Sequence, residues 1–192
     1  MRGAVLERKT NETSIKIKMK LDEKSPNEIQ TGIGFFDHML TLFAFFAGIT
    51  LNIHCDGDLE VDGHHTVEDV GIALGQAIGK ALGDKSGVNR YGQAIIPMDE
   101  SLASCVIDIS GRPFLVFDAA FESKCVGRFE TELTEEFFRA VAQHAGITLH
   151  IRLLYGKNTH HMIEAIFKAV GRAFGQAICL AGQGVQSTKG VL

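Results

Sequence analysis

The chain has 192 residues, 45% of them hydrophobic and 22% charged, with a formal net charge of −4. That length buries a core as one domain or two intimate halves, and the acidic balance argues against a nucleic-acid surface, which carries a basic bias. No run approaches roughly 18 apolar residues, no apolar leader follows Met1, and Cys55, Cys105, Cys125 and Cys179 form no CxxC, so a soluble, cytoplasmic, membrane-free protein with reduced thiols is expected.

Taken in chain order, residues 13–21 alternate, with Ile15, Ile17, Met19 and Leu21 on one face and Lys16, Lys18 and Lys20 on the other. That pattern predicts a strand with one wet side. Residues 36–47 predict an apolar helix, followed by strands over 48–55 and 58–62. A long helix is expected over about 66–83, its buried stripe made by Val67, Val70, Leu74, Ile78 and Leu82. Further strands follow near 93–98, 102–110 and 114–120, then a helix over 133–145 and a strand over 147–154. A last helix is expected over 161–181, with Ile163, Ile166, Phe167, Val170, Phe174 and Ile178 inward. The tail, rich in Gly and Ser, carries no periodicity and reads as disordered or as a mobile flap. Alanines spaced by four (Ala73, Ala77, Ala81; Ala169, Ala173, Ala177) would let a helix or sheet approach closely.

The most informative feature occurs twice. His64 and His65 are followed one helical turn later by Glu68, and 96 residues on His160 and His161 are followed by Glu164. The likeness extends to Ala73/Ala169, Gly75/Gly171, Ala77/Ala173, Gly79/Gly175 and Ala81/Ala177, so the chain contains an internal repeat. Upstream, Ala47–Ile53 matches Ala145–Ile151 at an offset of 98, which sets His38 against Glu136. Each half thus offers four candidate ligands: His38, His64, His65 and Glu68, then Glu136, His160, His161 and Glu164. On a helix, positions i and i+4 share a face while i+1 is turned by about 100°. His64 and Glu68 can serve one ion while His65 points toward another, and the second half repeats this. Two solvated helix starts would explain a glutamate in the first turn, but not a repeated histidine pair. The expected fold class is α+β, internally duplicated, each half a β-sheet covered on one face by helices. The domain plan is one domain of two repeats, about 1–91 and 92–182, with a tail over 183–192.

Other candidates lie at turns. Arg90, Arg112, Ser187 and Lys189 sit beside turn signals, and Lys168 falls one turn beyond Glu164. Guanidinium forks, ammonium groups and a hydroxyl suit a phosphate, although each residue alone also fits a surface charge, and Lys168 fits an i,i+4 partner of Glu164. Glu12, and the pair Asp99-Glu100, are candidate general acids or bases if they face the metals.

With these residues laid out, the chain resembles the imidazoleglycerol-phosphate dehydratase family along its whole length. The resemblance is carried by Gly34-Phe35-Phe36-Asp37-His38-Met39-Leu40, Asp62-Gly63-His64-His65-Thr66-Val67-Glu68-Asp69 and Ile96-Pro97-Met98-Asp99-Glu100. Asn158-Thr159-His160-His161, Glu164-Ala165 and Ser187-Thr188-Lys189-Gly190 complete it. It implies dehydration of imidazole glycerol phosphate to imidazole acetol phosphate in histidine biosynthesis, through metal-stabilised imidazolate and diazafulvene chemistry. It also implies two Mn²⁺ per subunit and a homo-oligomer of 24 subunits with metal sites at subunit boundaries. The metal positions map onto His38, His64, His65, Glu68, His160, His161 and Glu164. Position 136, often His in the family, is Glu here, still a ligand for a hard cation. Substrate contacts map onto Glu12, Arg90, Arg112, Lys168, Ser187 and Lys189, and the proton-shuttling carboxylate onto Glu12 or, second, Asp99. Two rivals remain from the residues alone: a binuclear metal-dependent phosphohydrolase, and a shell in which ions only join subunits.

Overall fold

The computed structural model describes all residues, 1–192. The first half contains β1 (Gly3–Lys9), β2 (Thr13–Lys20), β3 (Glu28–Gln30), α1 (Gly34–Ala47), β4 (Thr50–Gly57) and α2 (His64–Leu82). The second contains β5 (Tyr91–Met98), β6 (Ser101–Asp108), β7 (Phe114–Asp118), a short hairpin β8 (Cys125–Val126) and β9 (Phe129–Glu130), α3 (Leu133–Ala145), β10 (Thr148–Tyr155) and α4 (Thr159–Ile178). Hairpin aside, the two halves share one topology. The sheets run β1-β2-β4-β3 and β5-β6-β10-β7, and in each the last pair is parallel and joined by a helix crossover. The helices α1 and α3 end alike, at Gly48 and Gly146, whose φ values of 72° and 67° favour a residue free of a Cβ. The duplicated α+β fold is therefore present.

Both sheets turn one face inward. Ile15, Ile17 and Met19 face the core from the first sheet, and Cys105, Ile107 and Ile151 from the second. Helix α2 covers β1 and β2, and α4 covers β5 and β6, while α2 packs on α3 and α1 on α4. The helices of one half thus pack against those of the other. Glycines set the spacing. A Cβ on Gly71 or Gly75 would lie 2.9 Å or 2.8 Å from the carbonyls of Phe137 or Val141, and on Gly171 or Gly175 2.6 Å from those of Phe43 or Ala47. The rising numbers on both sides show that the paired helices run parallel, so their N-termini meet. The alanine rows are buried, but the closest backbone approaches are glycine's.

Several boundaries differ from expectation. Residues 58–62 form a turn closed by Val61 N–H donating to Asp58 O (2.9 Å), not a strand. Helices α2 and α4 begin two residues earlier than periodicity suggests, because Asp62 accepts from His64 N–H (2.8 Å) and Asn158 from His160 and His161 N–H (2.9 and 3.3 Å). The tail is tied down: Ala181 N–H donates to Gly87 O (2.8 Å) and Gly87 N–H to Gly184 O (2.7 Å). No helix is long and apolar enough to cross a membrane. All four cysteines are free thiols, with burial pushing Cys55 up to about 12 and Cys105 upward too.

Glycine to alanine in a helix normally stabilises by up to about 1 kcal/mol. At Gly175 the sign should invert, because the added methyl meets the Ala47 carbonyl at 2.6 Å and overpacking costs roughly 1–3 kcal/mol. Thermal unfolding should place Gly175→Ala below wild type and Gly79→Ala, whose nearest neighbour would be 3.7 Å away, at or above it.

Candidate metal centre and active site

The parallel packing of α1 on α4 brings together side chains far apart in sequence. His38 stands one turn into α1, whose start is fixed by Thr31 donating its N–H and Oγ1 to Asp37 (2.8 and 2.6 Å). His160 stands in the first turn of α4. Glu164, one turn on, is buried and turns Oε2 toward both imidazoles, 3.2 Å from His160 Nε2 and 3.7 Å from His38 Nε2. Burial, the largest single influence, would raise the Glu164 pKa, but the Lys168 ammonium together with His38 and His160 holds the carboxyl below its ordinary value. Ligands bonded to one first-row ion at about 2.1 Å stand no more than about 4.3 Å apart. The three donor atoms here lie within 4.8 Å of one another, and two imidazoles with a carboxylate are the donor set such an ion takes. The residues fit a divalent cation with little movement.

The other helix pair repeats the arrangement more loosely. His64 Nε2 lies 3.8 Å from Glu68 Oε2, and His64 shares with Glu136 a cavity of about 730 Å³ also lined by Phe117, Phe121 and Cys125. Glu136 there is drawn to Arg139 (3.6 Å), so this second set is open.

The remaining histidines point elsewhere. Consecutive helix positions are about 100° apart around the axis, so the paired histidines diverge, and the ring planes stand at 89° for His64 and His65 and 79° for His160 and His161. His65 donates through Nδ1 to Asp58 (3.0 Å) and offers Nε2 to Glu12 at 3.8 Å. His161 donates through Nδ1 to Glu100 (2.8 Å) with Nε2 3.8 Å from Asp99. Asp58 and Glu100 raise the pKa of their histidines above the ordinary value, and His161, with backbone N–H groups of Asn158 and Lys157, pulls Glu100 well below its own. Asp58 was not foreseen, and Glu100 was foreseen only as an acid–base alternative. A carboxylate that holds Nδ1 fixes the tautomer and frees Nε2 for a ligand, and the only sequence signal for it is an acidic residue at a strand end.

Glu12 owes its place to a buried network. Its turn is capped by Thr10 Oγ1, which accepts from Glu12 and Thr13 N–H (3.1 and 3.0 Å). Thr13 Oγ1 and Arg8 Nη1 both bind Asp69 Oδ2 (2.5 and 2.6 Å), fastening the β1–β2 hairpin to α2 one residue past Glu68. Asp99 occupies the corresponding tight turn between β5 and β6 at φ 47°, and Arg90 also has positive φ, 72°. Both are strained for residues with a Cβ, the kind of strain that collects at functional sites.

The phosphate candidates divide. Arg90 grips Asp108 (2.7 and 3.1 Å) and donates to the Gln186 carbonyl (2.8 Å), next to Ser187. Arg112 approaches the same Asp108 (3.6 Å), and the chain end returns to the Gly111 turn, where Lys85 Nζ donates to Leu192 O (3.4 Å). Ser187 Oγ accepts from Lys189 N–H (3.2 Å). Arg90, Arg112, Ser187 and Lys189 are therefore gathered by the tail. Lys168 is not with them: its ammonium meets Glu164 Oε1 (2.7 Å) and Met98 Sδ (3.3 Å). The tail cluster hangs on the far end of α4, where Arg90 N–H donates to Ala177 O (3.0 Å). His160 is 17 residues up that helix, about 25 Å away at 1.5 Å per residue.

Fold and triad together define a duplicated α+β protein with a His-His-Glu set able to hold a divalent metal ion. A family model described as imidazoleglycerol-phosphate dehydratase matches residues 31–174. Relatives named imidazoleglycerol-phosphate dehydratase from Streptococcus mutans serotype c and Listeria welshimeri serovar 6b are 56% and 57% identical over 194 aligned positions, covering 100% of both chains in each case. The crystal structure of the Staphylococcus aureus imidazoleglycerol-phosphate dehydratase superposes with a TM-score of 0.84 at 48% identity, covering 93% of this chain and 100% of that one. The Pyrococcus furiosus structure, in complex with (S)-C348, gives 0.84 at 38% identity, covering 97% and 100%. The chain belongs to the imidazoleglycerol-phosphate dehydratase family, hydro-lyases of histidine biosynthesis. The phosphohydrolase alternative has no support in these relationships.

Asp69→Ala should strand the Arg8 guanidinium and lower the free energy of unfolding by roughly 3 kcal/mol, the cost of breaking a largely buried pair. Urea denaturation of the variant would measure it, and a midpoint equal to wild type would show that the network holds nothing.

Proposed function

We propose that the chain, as one domain of two repeats (about 1–91 and 92–182) with a functional tail over 183–192, dehydrates imidazole glycerol phosphate at sites holding two Mn²⁺ per subunit. The His38–His160–Glu164 triad, closed to 4.8 Å, is the observation that carries this reading. His38, His160 and Glu164 would hold one ion and His64, Glu68 and Glu136 the other, with His65 and His161 available to sites on neighbouring copies. When bound, a divalent ion of this kind supplies Lewis-acid stabilisation of negative charge on the imidazole ring of the substrate.

The protein's own groups do the rest. Glu12, beside His65 and half exposed, takes the proton from the hydroxyl-bearing carbon one bond beyond the carbon that carries the ring, with Asp99 as the second candidate at the equivalent turn. The hydroxyl on the ring-bearing carbon leaves with a proton as water, and the resulting enol gains a proton at that carbon to become the ketone. Arg90, Arg112, Lys168, Lys189 and Ser187 hold the phosphate, and their reach fixes the distance from anion to ring. Asp58 and Glu100 keep two imidazoles in one tautomer while this happens.

A substrate on the order of 10 Å long cannot span the roughly 25 Å between triad and tail cluster along α4. The site is therefore composite: one copy lends the metal ligands and another the phosphate clamp. Ile95, Val106 and Phe114, exposed on the outer face of the second sheet, supply apolar surface for such an assembly, the 24-subunit particle that the family resemblance implies. In this arrangement the protein acts in the cytoplasm as a large homo-oligomer.

Chelator-stripped protein should lose turnover of imidazole glycerol phosphate and regain it with Mn²⁺, with particle size followed in parallel. No turnover by an intact, Mn²⁺-loaded particle would sink the proposal. Glu12→Gln should bind substrate normally while kcat falls by at least about 10²-fold. A wild-type rate in that variant would remove Glu12 from the chemistry.

A further inference from the structure

Strand register makes Arg2 and Arg90 counterparts in the two repeats. Each stands just before the first strand of its half, and the residue after it pairs with the last residue of the second strand, Gly3 with Lys20 and Tyr91 with Asp108. Both arginines bind an aspartate, but to different ends. Arg2 closes on Asp22 (2.5 Å) and donates Nη1 to Ile178 O (2.7 Å), tying strand to helix. Arg90 stands instead at φ 72°, strained for a residue with a Cβ. Tyr91 N–H donating to Asn89 O (2.9 Å) spans it, and its own carbonyl accepts from Ile109 N–H (3.0 Å), the residue after Asp108. From that backbone Nε and Nη2 reach Asp108 Oδ1 and Oδ2 (2.7 and 3.1 Å), and Nη1 reaches the Gln186 carbonyl (2.8 Å). One N–H on Nη1 and one on Nη2 remain unengaged. Asp108 Oδ2 also lies 3.6 Å from Nη2 of Arg112, whose side chain is 67% exposed where those of Arg90 and Asp108 are 13% and 19%.

We propose that Asp108 is the positioning residue of the phosphate site: one carboxylate sets the plane of the Arg90 guanidinium and draws the exposed Arg112 guanidinium toward the same point. A bidentate, charge-assisted pair fixes a guanidinium in orientation as well as in place. An arginine already held loses less freedom when it takes an anion, so more of the contact energy appears as affinity. The negative charge of Asp108 acts the other way, since it repels a phosphate. Orientation prevails because that single charge is already shared between two cations. The two effects differ in sign, which makes the role measurable.

This inference rests on Arg90 and Arg112 being phosphate contacts, so Arg90→Ala checks that reading separately. Mn²⁺-loaded wild type, Asp108→Asn, Asp108→Glu, Asp22→Asn and Arg90→Ala would be compared for kcat, KM for imidazole glycerol phosphate, inhibition by inorganic phosphate and bound Mn²⁺. Asp108→Asn should raise KM and the phosphate inhibition constant by roughly tenfold, with Mn²⁺ content unchanged and kcat within about threefold. Asp108→Glu keeps the charge but moves the carboxylate by one methylene, and should raise both constants several-fold. It decides the matter if Asp108→Asn does not fold. Asp22→Asn, which breaks the repeat-related pair, should lower the unfolding temperature and leave KM at the wild-type value. Phosphate inhibition that is tighter or unchanged in the deciding Asp108 variant would overturn the inference, and so would failure of both variants to fold, which would make Asp108 a support of the fold. If phosphate inhibited Arg90→Ala as it does wild type, the phosphate reading would itself be wrong, a failure distinguishable from the first.

Discussion

The glycine-set approach of the parallel helix pairs is the constraint on which the rest of this molecule depends. Where Gly71 and Gly75 meet α3, and Gly171 and Gly175 meet α1, no side chain larger than hydrogen fits against the facing carbonyls. Because the paired helices run parallel, tight packing along their length brings their first turns together. The starts of the helices carry His38 and His160 in one pair and His64 and Glu136 in the other. Parallel helix starts concentrate positive dipole ends, an environment unfavourable to a cation unless carboxylates accompany it. Glu164 and Glu68, one turn in, provide that charge.

A second layer of side chains turns this placement into usable geometry. Adjacent histidines on a helix must diverge, so each repeat serves two directions at once. Nδ1 of His65 and His161 is engaged by a carboxylate from a neighbouring turn, Asp58 or Glu100, which orients the ring and leaves Nε2 outward. The halves have solved the hairpin's attachment differently. The first uses the buried Arg8–Asp69–Thr13 network, and the second has Ala165 in place of Asp69 and relies on Glu100 binding the Lys157 and Asn158 N–H groups. Duplication preserved the ligands while their supports diverged.

Much of this was legible in the amino-acid sequence, for reasons that also explain what was not. The central strands and the helices carry strong periodicity because one face of each is buried, and the repeat offset aligned His38 with Glu136 before any contact was known. Strands β1 and β3 went unseen because both are sheet edges: β1 buries only Leu6, and β3 is three residues long. The stretch 58–62 alternates like a strand, yet Asp58 closes a turn and lends its carboxylate to His65. At the site, residue types and spacing pointed to metal ligands, but no spacing rule says that His38 would join His160 across the halves. Spacing offered Lys168 as an i,i+4 partner of Glu164, and the two do pair at 2.7 Å, but the burial of a single lysine leaves no trace in sequence pattern.

Each glycine-lined helix pair, α2 on α3 and α1 on α4, is made of one helix from each half, and so is the closed triad. Neither half therefore contains a finished interior: cut apart, each would present its glycine-lined helices to water with no surface of its own to receive them. A half-length ancestor would have had to find a second copy of itself in solution before it possessed either a core or a binding site. Joining the two in one chain replaced that encounter with a tethered one, in which the partner is always present at the effective concentration set by the connecting segment. The same step released the copies from identity. Once each half is guaranteed the other, a residue such as Lys168 can appear on one side only, and two sites that began as mirror images are free to take up separate tasks.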